Sequence, residues 1–202
     1  MHVLMIRHGR HGEPAIPSEG NLTLEGIGQA ETTGRVLTDL NIERLFSSPY
    51  PRAMQTASII SRGIGINVEI IADIRNKERS RESILPRSGI SRRHPDFILP
   101  EDLPENWLSG EESWADLYAR ARRASSLIKS MESAHERVAL VTHAVTLDAL
   151  TSLLIGLGFN ERMRFWYDNC SLTLLSIIDG RGRLHYLNDV SHLHSDRELF
   201  FP

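Results

Sequence analysis

Two basic clusters, each directly after a short apolar run, contain the residues of this chain best suited to chemistry. Arg7-His8-Gly9 follows Val3 to Ile6, and Thr142-His143 follows Val138 to Val141. Uninterrupted apolar runs of this length are typical of strands buried on both faces of a parallel sheet. Ligands of such sheets bind at the carboxyl ends of the strands. We therefore predict that an arginine and two histidines from distant parts of the sequence form one cationic pocket.

A second arginine lies at the start of a predicted helix. The run Ser47-Ser48-Pro49-Tyr50-Pro51-Arg52 contains a serine-to-proline step, which predicts a serine cap with proline as the first helical residue. Arg52 then lies in the first turn, where free backbone N–H groups and the helix dipole attract anions. Guanidinium and imidazole groups together complement the oxygens of a phosphoryl group, so the pocket is predicted to bind phosphate.

An imidazole in such a pocket can also act as a nucleophile. The surrounding cations should keep its pKa low enough to leave a lone pair free at neutral pH, and a neutral imidazole can attack phosphorus. His8 is the candidate, because the adjacent Gly9 permits close approach of the backbone.

In their order and spacing these residues resemble the histidine phosphatase superfamily, also called phosphoglycerate mutase-like. The resemblance runs from residue 2 to about 175. It implies that His8 becomes phosphorylated and that Arg7, Arg52 and His143 hold the phosphoryl group, with His143 also in the catalytic set. It implies neither a metal nor another cofactor. It is carried by Arg7-His8-Gly9, Leu22-Thr23 with Gly26 and Gln29-Ala30, Ser47-Ser48-Pro49 with Arg52 and Gln55-Thr56-Ala57, and His143.

The resemblance also implies a carboxylic acid that protonates the leaving oxygen, commonly located after the third strand. Lys77-Glu78-Arg79 resembles the Glu-Arg step of the family, so Glu78 is the first candidate, and Glu82 and Glu13 are the alternatives. A general acid must lie within hydrogen-bond reach of the leaving oxygen and stay protonated until it acts.

The chain departs from the family pattern after the first glycine. Arg10-His11 replaces an acidic or amide residue followed by a hydroxyl residue, and we expect Arg10, His11 and also Arg79 to be available to contact substrate. The asparagine and aromatic residues that mutases usually place in the first loop are not evident in 10–21, and the lid-like segment lacks the tyrosine and glycine that normally follow the Glu-Arg step. The sequence therefore favours a metal-independent phosphomonoesterase of the histidine acid phosphatase type. A mutase-type phosphotransferase and a catalytically weak regulatory module that binds phospho-ligands are the alternatives.

The elements that must position these residues alternate between strand and helix. Predicted strands at 3–6, 44–46, 67–71 and 138–141 alternate with helices that begin after Thr23, near residue 50, after Ser113 and near Val145, and a hairpin around Asp179 to Gly182 closes the chain. This order predicts an α/β three-layer sandwich, with helices on both faces of a mostly parallel central sheet. Between about 76 and 112 the periodicity disappears, and we interpret this segment as an irregular lid-like insert in a single domain spanning 1–202.

Composition restricts the remaining classes. Of 202 residues, 41% are hydrophobic and 24% charged, with a net charge of -3, which argues against a general nucleic-acid binder. No apolar stretch approaches the length of a membrane span. Cys170, the single cysteine, is expected to be a small buried hydrophobe, and a lone cysteine favours the cytoplasm. The expected partner is a small phosphorylated substrate, neither nucleic acid nor membrane, and a homo-oligomer is left open. His192 and His194 have a spacing that can bind metal but are interpreted as surface histidines.

Overall fold

A six-stranded sheet forms the centre of the molecule in a computed structural model, which describes residues 1–12, 22–77, 84–107, 112–158 and 160–193. The strand order is β3-β2-β4-β1-β5-β6. The first four strands in that order are parallel, and β5 and β6 are antiparallel additions at one edge, which confirms a mostly parallel sheet. The strands are β1 His2–Arg7, β2 Arg44–Ser47, β3 Val68–Ile70, β4 Arg137–Thr142, β5 Leu172–Ile178 and β6 Arg181–Asp189.

Helices cover both faces of the sheet, as predicted. Alternate residues of β1 point to opposite faces, so Val3 and Met5 pack in the cluster formed with α4 and α5, whereas Leu4 and Ile6 pack in the cluster formed with α2. α1 in turn packs on α2. The described helices are α1 Leu24–Leu37, α2 Pro51–Ile64, α3 Arg87–Arg93, α4 Trp114–Ser130 and α5 Ala144–Leu154. None of the helices in these described ranges is both long and apolar enough to cross a membrane.

Two of the predicted helix caps are confirmed and one is wrong. Thr23 Oγ1 accepts from Gly26 N–H at 3.2 Å, and Ser113 forms a reciprocal capping box with Asp116. The helix α2, however, begins at Pro51 with Tyr50 as its N-cap and without a serine cap. The ring of Pro51 excludes the helical conformation at the preceding residue, and Tyr50 is accordingly extended (φ -76°, ψ 138°). Arg52 still lies in the first turn.

The described parts of the segment between 76 and 112, which are 76–77, 84–107 and 112, are more ordered than the sequence indicates. They contain α3, two turns long, and an isolated parallel bridge joins Ile98 to Glu69 on β3. Trp107 Nε1–H donates to the Leu85 carbonyl at 2.9 Å. The described parts of this segment are therefore attached to the edge of the sheet at β3.

The closing hairpin is tighter than predicted. Its turn consists of Asp179 and Gly180 alone, with φ of 51° and 69°, and β6 begins at Arg181. Positive φ at both central residues is the geometry of the two-residue turn that matches the twist of antiparallel strands. Cys170 is fully buried, as predicted.

Candidate active site

The two histidine-bearing clusters lie side by side in the sheet. β1 and β4 are parallel neighbours in which Arg7 is in register with Thr142, so His8 and His143 each follow a paired residue. His8 N–H donates to the Thr142 carbonyl at 2.9 Å, and the two imidazole centroids are 5.0 Å apart. The two histidines are 3% and 1% exposed. The structure thus brings together two histidines that are far apart in the sequence.

The hydrogen bonds of His8 determine which of its nitrogens has the proton. Nδ1 lies 2.8 Å from the Gly9 carbonyl, which can only accept, and Nε2 receives the Arg52 Nε–H at 3.1 Å. His8 is therefore the neutral Nδ1–H tautomer, with its lone pair on Nε2. Burial, and then the positive charge of Arg52, hold the pKa of His8 well below its usual range. An imidazole in this state is a nucleophile at neutral pH.

Arg52 reaches the pocket from the first turn of α2. Its side chain is 3% exposed, and its Cζ lies 5.1 Å from the centroid of the Tyr50 ring. The same arginine therefore contacts the His8 lone pair and lies at a helix N-terminus whose free N–H groups attract anions.

Arg7 is held by the loop that precedes β5. Its Nη1 donates to the Tyr167 carbonyl, and its backbone carbonyl accepts from Cys170 N–H at 3.0 Å. Burial lowers the pKa of the Arg7 guanidinium, while the nearby Asp168 carboxylate acts in the opposite direction. The group keeps its positive charge, because guanidinium is not deprotonated in proteins. Arg7 and Arg52 therefore place two cations around His8.

His143 lies at the junction of β4 and α5. Its Nε2 is 2.8 Å from Ser48 Oγ, and its Nδ1 is buried without a hydrogen-bond partner in the described part of the chain. The Tyr50 ring meets the imidazole nearly edge-on at 5.2 Å. Burial, followed by the charge of Arg52, holds the pKa of His143 well below its usual range, so this histidine too is neutral.

Gly9 is required where the first loop passes over the N-terminus of α1. A Cβ at Gly9 would lie 2.6 Å from the Gly26 carbonyl oxygen, and a Cβ at Gly26 would lie 2.1 Å from the Arg10 carbonyl oxygen. Gly9 N–H donates to Thr56 Oγ1 at 3.0 Å on α2. Two helices thus fix the backbone beside His8.

The two residues that depart from the family pattern lie differently. The His11 ring is 5.1 Å from the His8 ring in an edge-on contact, and His11 is exposed to solvent. Arg10 is also exposed, and its Nη1 pairs with Glu25 on α1 at 2.7 Å. His11 is therefore next to His8, whereas the Arg10 guanidinium lies against α1.

The candidate acids lie outside the described residues. Glu78, Glu82 and Glu13 are all in this group, and so is Arg79. The chain that leads to Glu78 is described as far as Lys77, and the Arg75 carbonyl accepts from Thr146 Oγ1 at 2.6 Å on the first turn of α5. Residues just before Glu78 therefore pass the helix that begins next to His143.

Sequence reasoning missed two features of this region. Ser48 looks like a helix cap but contacts His143, and the only signal was its position in the family motif. Glu112 looks like a solvated loop acid, but it accepts a bidentate pair from Arg120 at 2.6 and 2.8 Å, and Arg75 adds a third contact at 3.1 Å. Arg120 is 1% exposed. A buried charge cluster thus fastens the end of the 76–112 segment to α4.

The described residues offer no group of three or more histidine, cysteine or carboxylate side chains that could hold a metal ion. His192 Nε2 lies 3.1 Å from Thr33 Oγ1, and His194 is outside the described ranges. The groups that the described residues bring around His8 include an imidazole from His143 and guanidiniums from Arg7 and Arg52.

Known proteins with similar sequences and structures include phosphatases and phosphoglycerate mutases. "Putative phosphoserine phosphatase 2" of Hydrogenobacter thermophilus is 28% identical over 185 residues, covering 86% of each chain. The 2,3-bisphosphoglycerate-dependent phosphoglycerate mutase of Thermoplasma acidophilum is 29% identical over 187 residues, covering 85% of this chain and 86% of that one. The mycobacterial glucosyl-3-phosphoglycerate phosphatase, solved with VO3, is 25% identical with a TM-score of 0.67, covering 93% of this chain and 98% of that one.

The family itself is identified by a match over nearly the whole chain. The model of the histidine phosphatase superfamily (branch 1) matches residues 3–190, from the first strand to just beyond the last. The match includes both histidine-bearing strand ends and the helix that carries Arg52. This chain belongs to the histidine phosphatase superfamily.

Proposed function

We propose that this protein is a metal-independent phosphomonoester hydrolase that works through a phosphohistidine on His8. The observation that carries the proposal is the state of His8: buried, neutral, protonated on Nδ1 and with its Nε2 lone pair facing Arg52. A neutral nucleophile among fixed cations suits attack on a phosphate dianion, because the cations stabilise the oxygens while the lone pair stays free of a proton.

The reaction has two steps. His8 Nε2 forms a bond to phosphorus as the bond from phosphorus to the ester oxygen breaks, and a carboxylic acid gives its proton to the leaving oxygen. Water then attacks the phosphohistidine, the nitrogen–phosphorus bond breaks, and the water's proton returns to the carboxylate. Inorganic phosphate and an alcohol are the products. Arg7, Arg52 and His143 hold the phosphoryl oxygens in both steps.

Glu78 is the proposed acid. What supports it is the path of the chain, since Arg75 contacts the first turn of α5 and Glu78 comes one residue after Lys77. Glu78→Gln is expected to slow hydrolysis of alkyl phosphates more than that of aryl phosphates, because a good leaving group needs little protonation. Equal losses on both substrates would assign Glu78 another role, and the same comparison applies to Glu82 and Glu13.

The proposed substrate is a small phosphomonoester in the cytoplasm. We propose that His11 contacts it, that Arg10 does so after leaving its ion pair with Glu25, and that Arg79 is a further contact. The 5.1 Å separation of the His11 and His8 rings supports the assignment of His11. We propose that the 76–112 segment covers the pocket, because its Trp107 packs against Tyr50 at 5.9 Å and the Tyr50 ring touches His143. A screen that begins with phosphoserine and phosphoglycerates, the compounds named for the relatives, tests the substrate class.

Trapping of the intermediate tests the mechanism. Brief exposure to a labelled phosphodonor is expected to leave an acid-labile, base-stable label on His8, and His8→Ala is expected to abolish both label and turnover while the far-ultraviolet circular dichroism is unchanged. Retained turnover in His8→Ala would refute the mechanism. Tight phosphate binding without any label in the wild type would favour the regulatory module.

The 29% identity to a phosphoglycerate mutase is the observation that supports the mutase alternative. It differs from hydrolysis only in the acceptor, which is a second hydroxyl in place of water. Phosphorus NMR of a reaction with a phosphoglycerate separates the two, since hydrolysis releases inorganic phosphate and mutase activity moves the phosphoryl group to the neighbouring hydroxyl. The hydrolase proposal predicts inorganic phosphate as the main product.

A further inference from the structure

The hydrogen bonds around Ser48 determine which group donates in the bond between Ser48 and His143. Ser48 is fully buried, and its Oγ accepts the Tyr50 N–H at 3.3 Å and lies 2.8 Å from His143 Nε2. A hydroxyl has one proton to donate, and within the described residues Nε2 is the acceptor available for it. If Nε2 had the proton instead, two buried groups would be unsatisfied, the Ser48 hydroxyl as a donor and the Nδ1 lone pair as an acceptor, whereas donation from Ser48 leaves only Nδ1–H without a partner among the described residues. The arrangement that satisfies Ser48 is donation from Oγ to Nε2.

This direction has a consequence for the other nitrogen of the ring. A neutral imidazole that accepts at Nε2 has its proton on Nδ1. His143 Nδ1 is buried and has no hydrogen-bond partner among the described residues. A buried N–H donor without an acceptor is unfavourable, and such groups in native proteins call for an explanation. An anion bound next to His8, whose ring lies 5.0 Å away, would supply the missing acceptor.

We propose that Ser48 is a positioning residue for His143: its hydroxyl holds the ring in the Nδ1–H tautomer, and Nδ1–H donates to an oxygen of the bound phosphoryl group. His143 thus binds the anion as a neutral donor, unlike Arg7 and Arg52. The identity of the ligand rests on the proposed function, whereas the tautomer does not.

The tautomer can be read directly, without catalysis. In the phosphate-free wild type labelled with nitrogen-15 at histidine, long-range proton–nitrogen correlation is expected to give His143 a pyrrole-type Nδ1 and a pyridine-type Nε2. The signals are assigned by their loss in His143→Gln. A pyrrole-type Nε2, which would mean that Ser48 accepts from His143, would overturn the proposal.

Paired serine variants test the consequence for binding. Ser47→Ala is the matched control, because Ser47 is also fully buried but its Oγ donates to the Ser48 carbonyl at 2.9 Å and touches no imidazole. Ser48→Ala is expected to weaken binding of inorganic phosphate, measured by calorimetry, by about tenfold, and to mix the two His143 tautomers. Equal affinity in the two variants, or an unchanged tautomer in Ser48→Ala, would refute the role of Ser48. Should Ser48→Ala not fold, the wild-type spectrum decides the tautomer alone.

The outcome also separates this proposal from the hydrolase proposal. A wild type that shows the Nδ1–H tautomer and the serine-dependent phosphate affinity, but no label on His8, contradicts the hydrolase and supports the role of Ser48. A wild type that is labelled and active but has the opposite tautomer contradicts only the role of Ser48.

Discussion

A methyl group added at Gly9 should displace His8, the proposed nucleophile, without touching any of the proposed catalytic side chains. The Cβ of Gly9→Ala would lie 2.6 Å from the Gly26 carbonyl oxygen, whereas ordinary contacts begin at 3.4 Å, so the two backbones must separate by about 0.8 Å. Neither side can yield easily, because Gly26 belongs to α1 and Gly9 N–H is held by Thr56 on α2. His8, the residue directly before Gly9, therefore moves.

The magnitude follows from this displacement. Overpacking of this kind costs about 1–3 kcal/mol of unfolding free energy. A misplacement of about 1 Å costs up to about 10²-fold in rate, so we expect kcat/KM to fall by about ten- to hundredfold. Gly28→Ala is the matched control on the same helix, because a Cβ there has no heavy atom within 4 Å. That variant is expected to gain up to about 1 kcal/mol from better helix propensity and to keep its activity.

Urea unfolding and steady-state kinetics on an aryl phosphate measure the two effects separately. Activity is compared at a temperature where all three proteins are fully folded by circular dichroism, so that loss of folded protein does not count as loss of rate. A Gly9→Ala protein with wild-type stability and wild-type kcat/KM would refute the steric reasoning. A protein that is destabilised but fully active would show that the helix moves and the nucleophile does not.

Three further changes have clear expected outcomes. Burial holds the pKa of His8 and His143 well below the usual range, so unfolding takes up protons below about pH 6.5. The free energy of unfolding should therefore fall as the pH drops from 7 to 5, by up to about 1.4 kcal/mol per pH unit for each histidine. In urea titrations, the free energy of unfolding of a variant with asparagine at both positions should depend less steeply on pH. Arg120→Met should lower the free energy of unfolding in urea by about 3 kcal/mol, since it leaves the buried Glu112 carboxylate without its bidentate partner. Arg123→Met should lower it by less than about 1 kcal/mol, because the Arg123 side chain is 63% exposed. Gly180→Ala should cost about 1 kcal/mol by thermal melting, because φ there is 69°.

The parts of the site that the sequence predicts are those with a strong local signal. The apolar runs before His8 and His143 are uninterrupted because both faces of β1 and β4 are covered by helices, so the strands and their carboxyl ends can be read without knowing the fold. The position of Arg52 can also be predicted from the sequence. The adjacent proline marks a helix start, whether Pro49 or Pro51 is taken as the first helical residue. Parallel pairing then brings the strand ends together.

The parts that the sequence does not reveal depend on partners far along the chain. Ser48 has the local environment of a cap, and its real partner His143 is 95 residues away. Glu112 follows a polar run like any solvated acid, and only the fold shows that Arg120 and Arg75 surround it. Local patterns report which residues prefer helix, strand or turn, but a buried polar pair is decided by where two distant elements meet.

In the proposed mechanism Arg52 keeps the His8 lone pair unprotonated until the phosphoryl group binds. Its Nε–H donates to His8 Nε2 at 3.1 Å, and its charge also opposes protonation of His8. Attack on phosphorus in the proposed reaction requires this hydrogen bond to break, which costs about 1.5–3 kcal/mol for a charged donor. Phosphoryl oxygens offset that loss, because guanidinium forms strong paired hydrogen bonds with phosphate. In the proposed reaction the His8 lone pair is therefore released when the phosphoryl oxygens take over the Arg52 N–H, and until then the hydrogen bond and the charge of Arg52 both keep a proton off Nε2.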